Sequence, residues 1–262
     1  MEIFEEISGA RMHTALYRPI YKNKTLKKPL FKKILFFLKN LPVSLNEINS
    51  LLLNNKIWKS RLQNIGFISQ DDIKNFNLSG VLARSANKPI DLRIIPSAKY
   101  GFYKYIKINS FLSKTSDSYN RYVLRILEMF ESINIVTKIN ISALPGFSKK
   151  YVYMESTIND FYLWSGLLKT IPNPTHGFIE SGKGSFGVWL NINNKSRINN
   201  IKISSPSYNH LFWLTQKTHN LLLADLITLI GTIDIVFGEI DRSMFKPYFR
   251  NNFKIKNFIF NF

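Results

Sequence analysis

Few side chains in this sequence have the types and spacing that chemistry requires. The four histidines, His13, His176, His210 and His219, do not fall at metal-ligand spacing. There is no cysteine, which excludes a thiolate zinc site, a cysteine-held iron–sulfur cluster, a disulfide and a thiol nucleophile within the chain. Gly182-Lys183-Gly184 superficially suggests a phosphate loop. It lacks the five-residue approach and the Ser/Thr after the lysine, and it sits between strands, so it reads as a hairpin turn. One apolar run carries charge, at Asp234, Glu239 and Arg242. Its residues alone describe a buried element with one ion pair.

The overall charge points outward, to partners. Lys and Arg number 36 against 17 Asp and Glu, giving +19 and suggesting nucleic acid, anionic lipid or a large acidic assembly as the neighbour. Lysine far outnumbers arginine, and Asn, Ile and Phe are abundant, so A/T-rich codons are an alternative source of much of this charge. The basic, aromatic C-terminus matches no RNA-binding motif. With 45% hydrophobic and 14% aromatic residues the chain is not disordered, and 262 residues suffice for one large domain or two modest ones. The acidic start, Met1 to Glu6, resembles neither a signal nor a transit peptide. The most apolar run, Leu221 to Phe237, is interrupted by Asp225 and Asp234 and is too polar to span a bilayer unaided. The chain reads as soluble or peripheral.

The elements that must position these residues follow from periodicity. Glu2 to Tyr17 reads as a helix without a capping residue, ended by Pro19. A Lys-rich connector follows over residues 22–33, then a short apolar piece, Ile34 to Leu41. Ser44 is placed to cap a helix through Ile57, and Ser69 a short one over Gln70 to Asn75. Ser79 to Asn109 suggests loops and short strands. Asp117 caps the clearest helix, with Tyr119, Tyr122, Val123, Ile126, Phe130 and Ile133 as a core stripe. A helix is expected over Ser156 to Leu168. The period then becomes two at Phe186, Val188, Leu190 and Ile192, with a turn at Asn193 to Ser196 and a return strand through Ile201 and Ile203. A long helix over Leu211 to Leu229, broken at Gly231, completes the pattern.

Several longer motifs carry a resemblance. Ser8-Gly-Ala-Arg-Met-His13 followed by Tyr17-Arg-Pro19 resembles a segment of the 49-kDa-type subunit of respiratory complex I, also called NADH dehydrogenase subunit 7, a relative of the nickel–iron hydrogenase large subunit. Further matches come in family order: Asn54 to Trp58, Ser79 to Leu82 with Arg84, Asp91-Leu-Arg93, Arg121-Tyr122 with Glu128-Met129, Met154-Glu-Ser156, Phe186-Gly-Val188 and His210-Leu211. The last is Ala224-Asp225 running through Ile230-Gly-Thr232 to Asp234-Ile-Val-Phe-Gly-Glu-Ile-Asp-Arg242. There are departures. Ser85-Ala86-Asn87 stands where glycines are usual, Ser116-Asp117-Ser118 replaces a glycine–aspartate–cysteine motif, and Lys104 and Lys107 replace acids.

The resemblance implies an α+β fold with a hydrogenase-large-subunit-like helical core and a small antiparallel sheet, lacking the metal site. It implies that residues 1–242 are the C-terminal half of the quinone-site subunit of a proton-pumping NADH:ubiquinone oxidoreductase, inactive as an isolated chain. The partners it implies are the N-terminal half on a separate chain, meeting a docking face at Met1–Ile7, and the subunit holding the terminal 4Fe-4S cluster. His13 and Arg11 would lie beside that cluster, with the pKa of His13 following its redox state. Asp234, Val236, Phe237, Glu239 and Arg242 would form the cavity wall, where a buried carboxylate tunes ubiquinone protonation through its field. The chain would bind no cofactor alone and no nucleic acid; NADH and flavin belong elsewhere in the complex. Synthesis inside the mitochondrion and a place in the matrix-side arm at the inner membrane are expected. Residues 243–262 form an extension. Its cations Lys246, Arg250, Lys254 and Lys256, and the opposed alternations Phe253/Ile255 and Phe258/Phe260/Phe262, suggest an extended tail packed on a neighbouring subunit. The alternative from a different class is a basic RNA-associated or ribosomal assembly protein.

Overall fold

A computed structural model describes residues 1–12, 28–95, 101–142, 174–192, 198–218 and 221–240. His13, Arg242, the helix expected at 156–168 and the extension 243–262 lie outside these residues.

The first helix, α1 (Glu2–Ser8), is shorter than the sequence pattern suggests. Gly9 ends it in the left-handed conformation, φ 81°, and returns its N–H to the Glu5 carbonyl. Glycine reaches that conformation without a Cβ penalty, so it stops the helix well before Pro19. Residues 28–33 of the expected connector, the apolar piece Ile34 to Leu41 and most of the helix expected after Ser44 belong to one long helix, α2 (Lys28–Leu53), which runs through Pro42. Ser44 therefore lies mid-helix. The true cap in this region is Asn55, whose Oδ1 accepts the N–H groups of Ile57 and Trp58 at the start of α3 (Lys56–Leu62).

Ser69 caps α4 (Gln70–Phe76) through a full capping box with Asp72. The five-residue α5 (Val81–Ser85) occupies a stretch that composition assigns to loops, and no strand forms over residues 105–109. A single 3-10 turn, Gly101–Lys104, precedes the loop into α6. Asp117 caps α6 (Ser118–Ser142) by accepting the Asn120 N–H at 2.9 Å. Ile126 and Ile133 of the expected stripe are buried, and so are Leu124 and Arg121, which the stripe omits. Leu38 and Leu45 of α2 pack on Ile133, tying the two long helices together.

Three antiparallel strands follow: β1 (Thr175–Ser181), β2 (Gly184–Ile192) and β3 (Ile198–Ser204), in the order β1-β2-β3. Ser181 pairs with Gly184, so Gly182-Lys183 is the hairpin turn, as its sequence suggests. The long helix expected after Pro206 is two: α7 (Pro206–Lys217) and α8 (Leu223–Ile233). Gly231 does not break α8; Asp234, in the left-handed region at φ 59°, ends it. A single turn, α9 (Phe237–Ile240), follows. Ile68, Ile73, Leu78, Leu82, Ala83, Trp213, Leu214, Leu229 and Ile233 form the main core, where α4, α5, α7 and α8 meet. This mixture of helices and one small antiparallel sheet is an α+β fold. No helix among the described residues is long and apolar enough to cross a membrane.

Candidate functional site

The charged turn at the end of α8 lies where three parts of the chain converge. The first is the tip of the β1–β2 hairpin. It seats backbone against backbone on Ser79-Gly80: a Cβ on Gly80 would lie 2.8 Å from the Gly184 Cα, and Gly80 has φ 67°. Only glycine permits that approach. Ser79 Oγ accepts the Ser185 N–H at 3.0 Å and completes the seat. Lys183 then meets the Asp234 carboxylate as an ion pair.

Below the hairpin is a buried charge network. Arg84, with a side chain 4% exposed, donates Nε to Glu128 at 2.8 Å and Nη1 to Glu180 at 3.0 Å. Nη1 also reaches the Ile90 carbonyl at 3.1 Å and lies 3.7 Å from Asp91. Arg93 forks onto Asp91 at 2.9 and 2.7 Å. Burial opposes ionisation of Asp91, but the Arg93 and Arg84 guanidiniums overcome it and hold the carboxyl below its usual range. Glu180 goes the other way: burial raises it, and its bond to Arg84 offsets that only in part. Arg84 thus ties β1, α5 and α6 into one body.

The second part is the buried face of α6. Among the described residues Arg121 has no carboxylate within ion-pair distance; it donates to the carbonyls of Gly66 and Ser116, each at 2.8 Å, to Ser118 Oγ at 2.8 Å and to Thr232 Oγ1 at 3.3 Å. Burial, helped by the neighbouring Arg125, lowers it to about 9, so it stays protonated at neutral pH. Arg125 donates to the Thr232 carbonyl at 2.6 Å, a cation at the C-terminus of α8. Burial lowers Arg125 as well, against the pull of Asp234 and Glu128. Ser116 and Ser118, which stand in for the family's glycine–aspartate–cysteine motif, bond the Ile68 and Ile65 backbone and fix the loop before α4.

The third part is the start of α7. Ser205 and Ser207 both donate to Glu239 Oε2, at 2.7 and 2.8 Å, and Ser207 Oγ accepts the Val236 N–H at 3.4 Å. One turn further on, His210 is 1% exposed, and neither ring nitrogen has a well-formed hydrogen bond among the described residues. Burial lowers it to about 4; an approach to the Ser79 backbone opposes this and the Arg125 charge adds to it. It is neutral at pH 7.

Of the site residues expected from sequence, Asp234, Val236, Phe237 and Glu239 share this turn, with Phe237 69% exposed. Arg11 is elsewhere. It lies beyond the end of α1, largely exposed, and pairs with Glu5 at 2.8 Å. Sequence reasoning misses Arg84, Arg121, Arg125 and His210 as contributors to the site. The available signal is a cation recurring among apolar positions of α5 and α6. Among the described residues no group of three His, Asp or Glu side chains is placed to hold a metal.

The described residues thus form a helical scaffold with one small sheet and a braced, charged turn at the end of α8. Residues 1–242 match the family described as the respiratory-chain NADH dehydrogenase 49 Kd subunit, and the chain belongs to that family. A Paramecium tetraurelia protein named NADH-ubiquinone oxidoreductase 49 kDa subunit is 41% identical over 92% of this chain and 66% of its own length. The Nyctotherus ovalis protein of the same name is 38% identical over 92% of this chain and 62% of its own. The Dictyostelium discoideum protein, again of that name, is 35% identical over 92% and 62%. The chain thus spans between 62% and 66% of the length of these relatives. Family membership disfavours the RNA-associated alternative.

Proposed function

We propose that this chain forms one wall of the quinone-reduction cavity of a proton-pumping NADH:ubiquinone oxidoreductase, completing it with the part of the relatives' length that it does not span. The observation that carries the reading is the bracing of the turn from Asp234 to Glu239. Lys183 pairs with Asp234, Ser205 and Ser207 at the start of α7 bond Glu239, and Arg125 bonds the Thr232 carbonyl just ahead of the turn. In this reading Val236 and Phe237 contact the quinone, and Asp234, Glu239 and Arg242 set the field around it without donating protons themselves. Electrons reach the quinone from a 4Fe-4S cluster on a neighbouring subunit, beside His13 and Arg11. The helical core is of the hydrogenase large-subunit type. The complex stands at the mitochondrial inner membrane with this chain in its matrix-side arm, synthesised within the organelle, and residues 243–262 pack on a neighbouring subunit.

Val236→Met in the assembled complex tests the reading. It should shift the response to quinone-site inhibitors and the apparent quinone affinity while leaving assembly largely intact. An unchanged inhibitor response together with lost assembly would assign the turn to structure alone.

A further inference from the structure

Ser205 occupies the N-cap position of α7, with extended backbone at φ −93°, ψ 132°, and Pro206 follows at the first helical position. A serine there normally accepts an N–H of the first helical turn. Ser205 makes no such cap. Its hydroxyl is turned instead onto Glu239 Oε2, 34 residues away in sequence, at 2.7 Å. Ser207 is fully buried, and it too points out of its own helix, donating to the same carboxylate oxygen and accepting the Val236 N–H. Two hydroxyls converging on one oxygen fix the rotamer of Glu239, and the Val236 bond fixes the backbone entering its turn. Local helix stability explains neither contact.

We propose that Ser205 and Ser207 are positioning residues for Glu239 and Val236, setting quinone affinity at the cavity wall; this deepens the functional reading above and rests on it. The serines do not touch the quinone. They hold the turn that does, and hydroxyl bonds to a charged acceptor are the stronger kind.

The test uses the assembled complex in membranes, with rates normalised to complex content and a short-chain ubiquinone as substrate. Ser205→Ala, Ser207→Ala and the double variant should raise the apparent KM for the quinone, the double by about tenfold, with a smaller change in kcat. Inhibitor sensitivity should move with KM. Ser205→Thr, which keeps the hydroxyl, should restore the native KM. If the buried Ser207→Ala fails to assemble, the Ser205→Ala and Ser205→Thr pair decides, because Glu239 is the only partner of the Ser205 hydroxyl among the described residues. An unchanged KM in these variants while Val236→Met shifts it would overturn the serine assignment and leave the cavity reading standing. A silent Val236→Met would overturn the cavity reading, and the assignment with it. Ser205→Thr as impaired as Ser205→Ala would also overturn the assignment, since the hydroxyl would not be what matters.

Discussion

Replacing Arg84 by methionine keeps most of the side-chain length and removes the cation from a site where the side chain is 4% exposed. The guanidinium is bonded to Glu128 at 2.8 Å and Glu180 at 3.0 Å and lies 3.7 Å from Asp91. Without it, Glu128, Glu180 and Asp91 lose the cation they share, while Arg93 still pairs with Asp91 and Arg125 still attracts Glu128. Breaking a buried ion pair by deleting one partner costs about 3–5 kcal/mol, because the other charge stays buried and uncompensated. Amides of α5 and of the β1–β2 hairpin that exchange by local opening should then exchange roughly 150-fold faster at the lower bound, read by hydrogen-exchange mass spectrometry on the assembled complex. The deficit should also depend on pH. Burial already raises Glu180, and removing its cationic partner raises it further, so the folded state takes up a proton more readily than the unfolded one. Protonation relieves the repulsion, so the deficit should be smaller in a mildly acidic buffer than at neutral pH. Arg84→Lys should lie between the two, keeping the charge and losing the fork. Exchange within about twofold of the native protein at both pH values would refute the reasoning.

Other consequences are as specific. His210 is held neutral with its pKa lowered to about 4, so the unfolded chain takes a proton first; stability is full above about pH 6.5 and falls by about 3 kcal/mol toward pH 4. His210→Gln should flatten that acid limb of a stability profile, and an unchanged limb would contradict the burial argument. Gly184→Ala puts a Cβ 2.5 Å from Ser79 Oγ at a φ of 136°, and should cost at least about 2 kcal/mol and speed exchange of the Ser185 amide. Ser69→Ala removes one half of a capping box and should destabilise α4 by about 1 kcal/mol, measurable as faster exchange of the Asp72 amide. On the proposal that His13 lies beside a 4Fe-4S cluster of a neighbouring subunit, His13→Met should flatten the pH dependence of that cluster's midpoint potential; an unaltered slope removes His13 from that role.

Local rules carry the parts of the fold that local chemistry decides. Ser69 and Asp117 announce helix starts because their side chains bond backbone within three residues, and the two-residue period of Phe186 to Ile192 marks a strand whose faces differ. Those rules fail where tertiary contacts override propensity. Pro42 and Ser44 look like punctuation, yet Leu38 and Leu45 on either side are buried against Ile133, and that packing carries α2 straight through. Gly9 is the reverse case, a local stop that an apolar stripe conceals. At the site, the charged turn is visible as a motif, but its supports are not. Lys183 and Asp234 are 51 residues apart and Ser205 and Glu239 are 34 apart, and no spacing rule joins them. Arg121 is hidden for another reason: its two Nη groups bond backbone carbonyls and hydroxyls rather than a carboxylate, so charge pairing gives no clue.

That the turn from Asp234 to Glu239 faces the quinone is open to a direct test. A photoreactive short-chain quinone is crosslinked in the assembled complex and the labelled peptides are mapped. Label is expected on Val236 or Phe237, and unlabelled quinone and a quinone-site inhibitor should both compete it away. Competable label confined to other subunits, or to segments of this chain remote from that turn, would contradict the placement of the turn at the cavity.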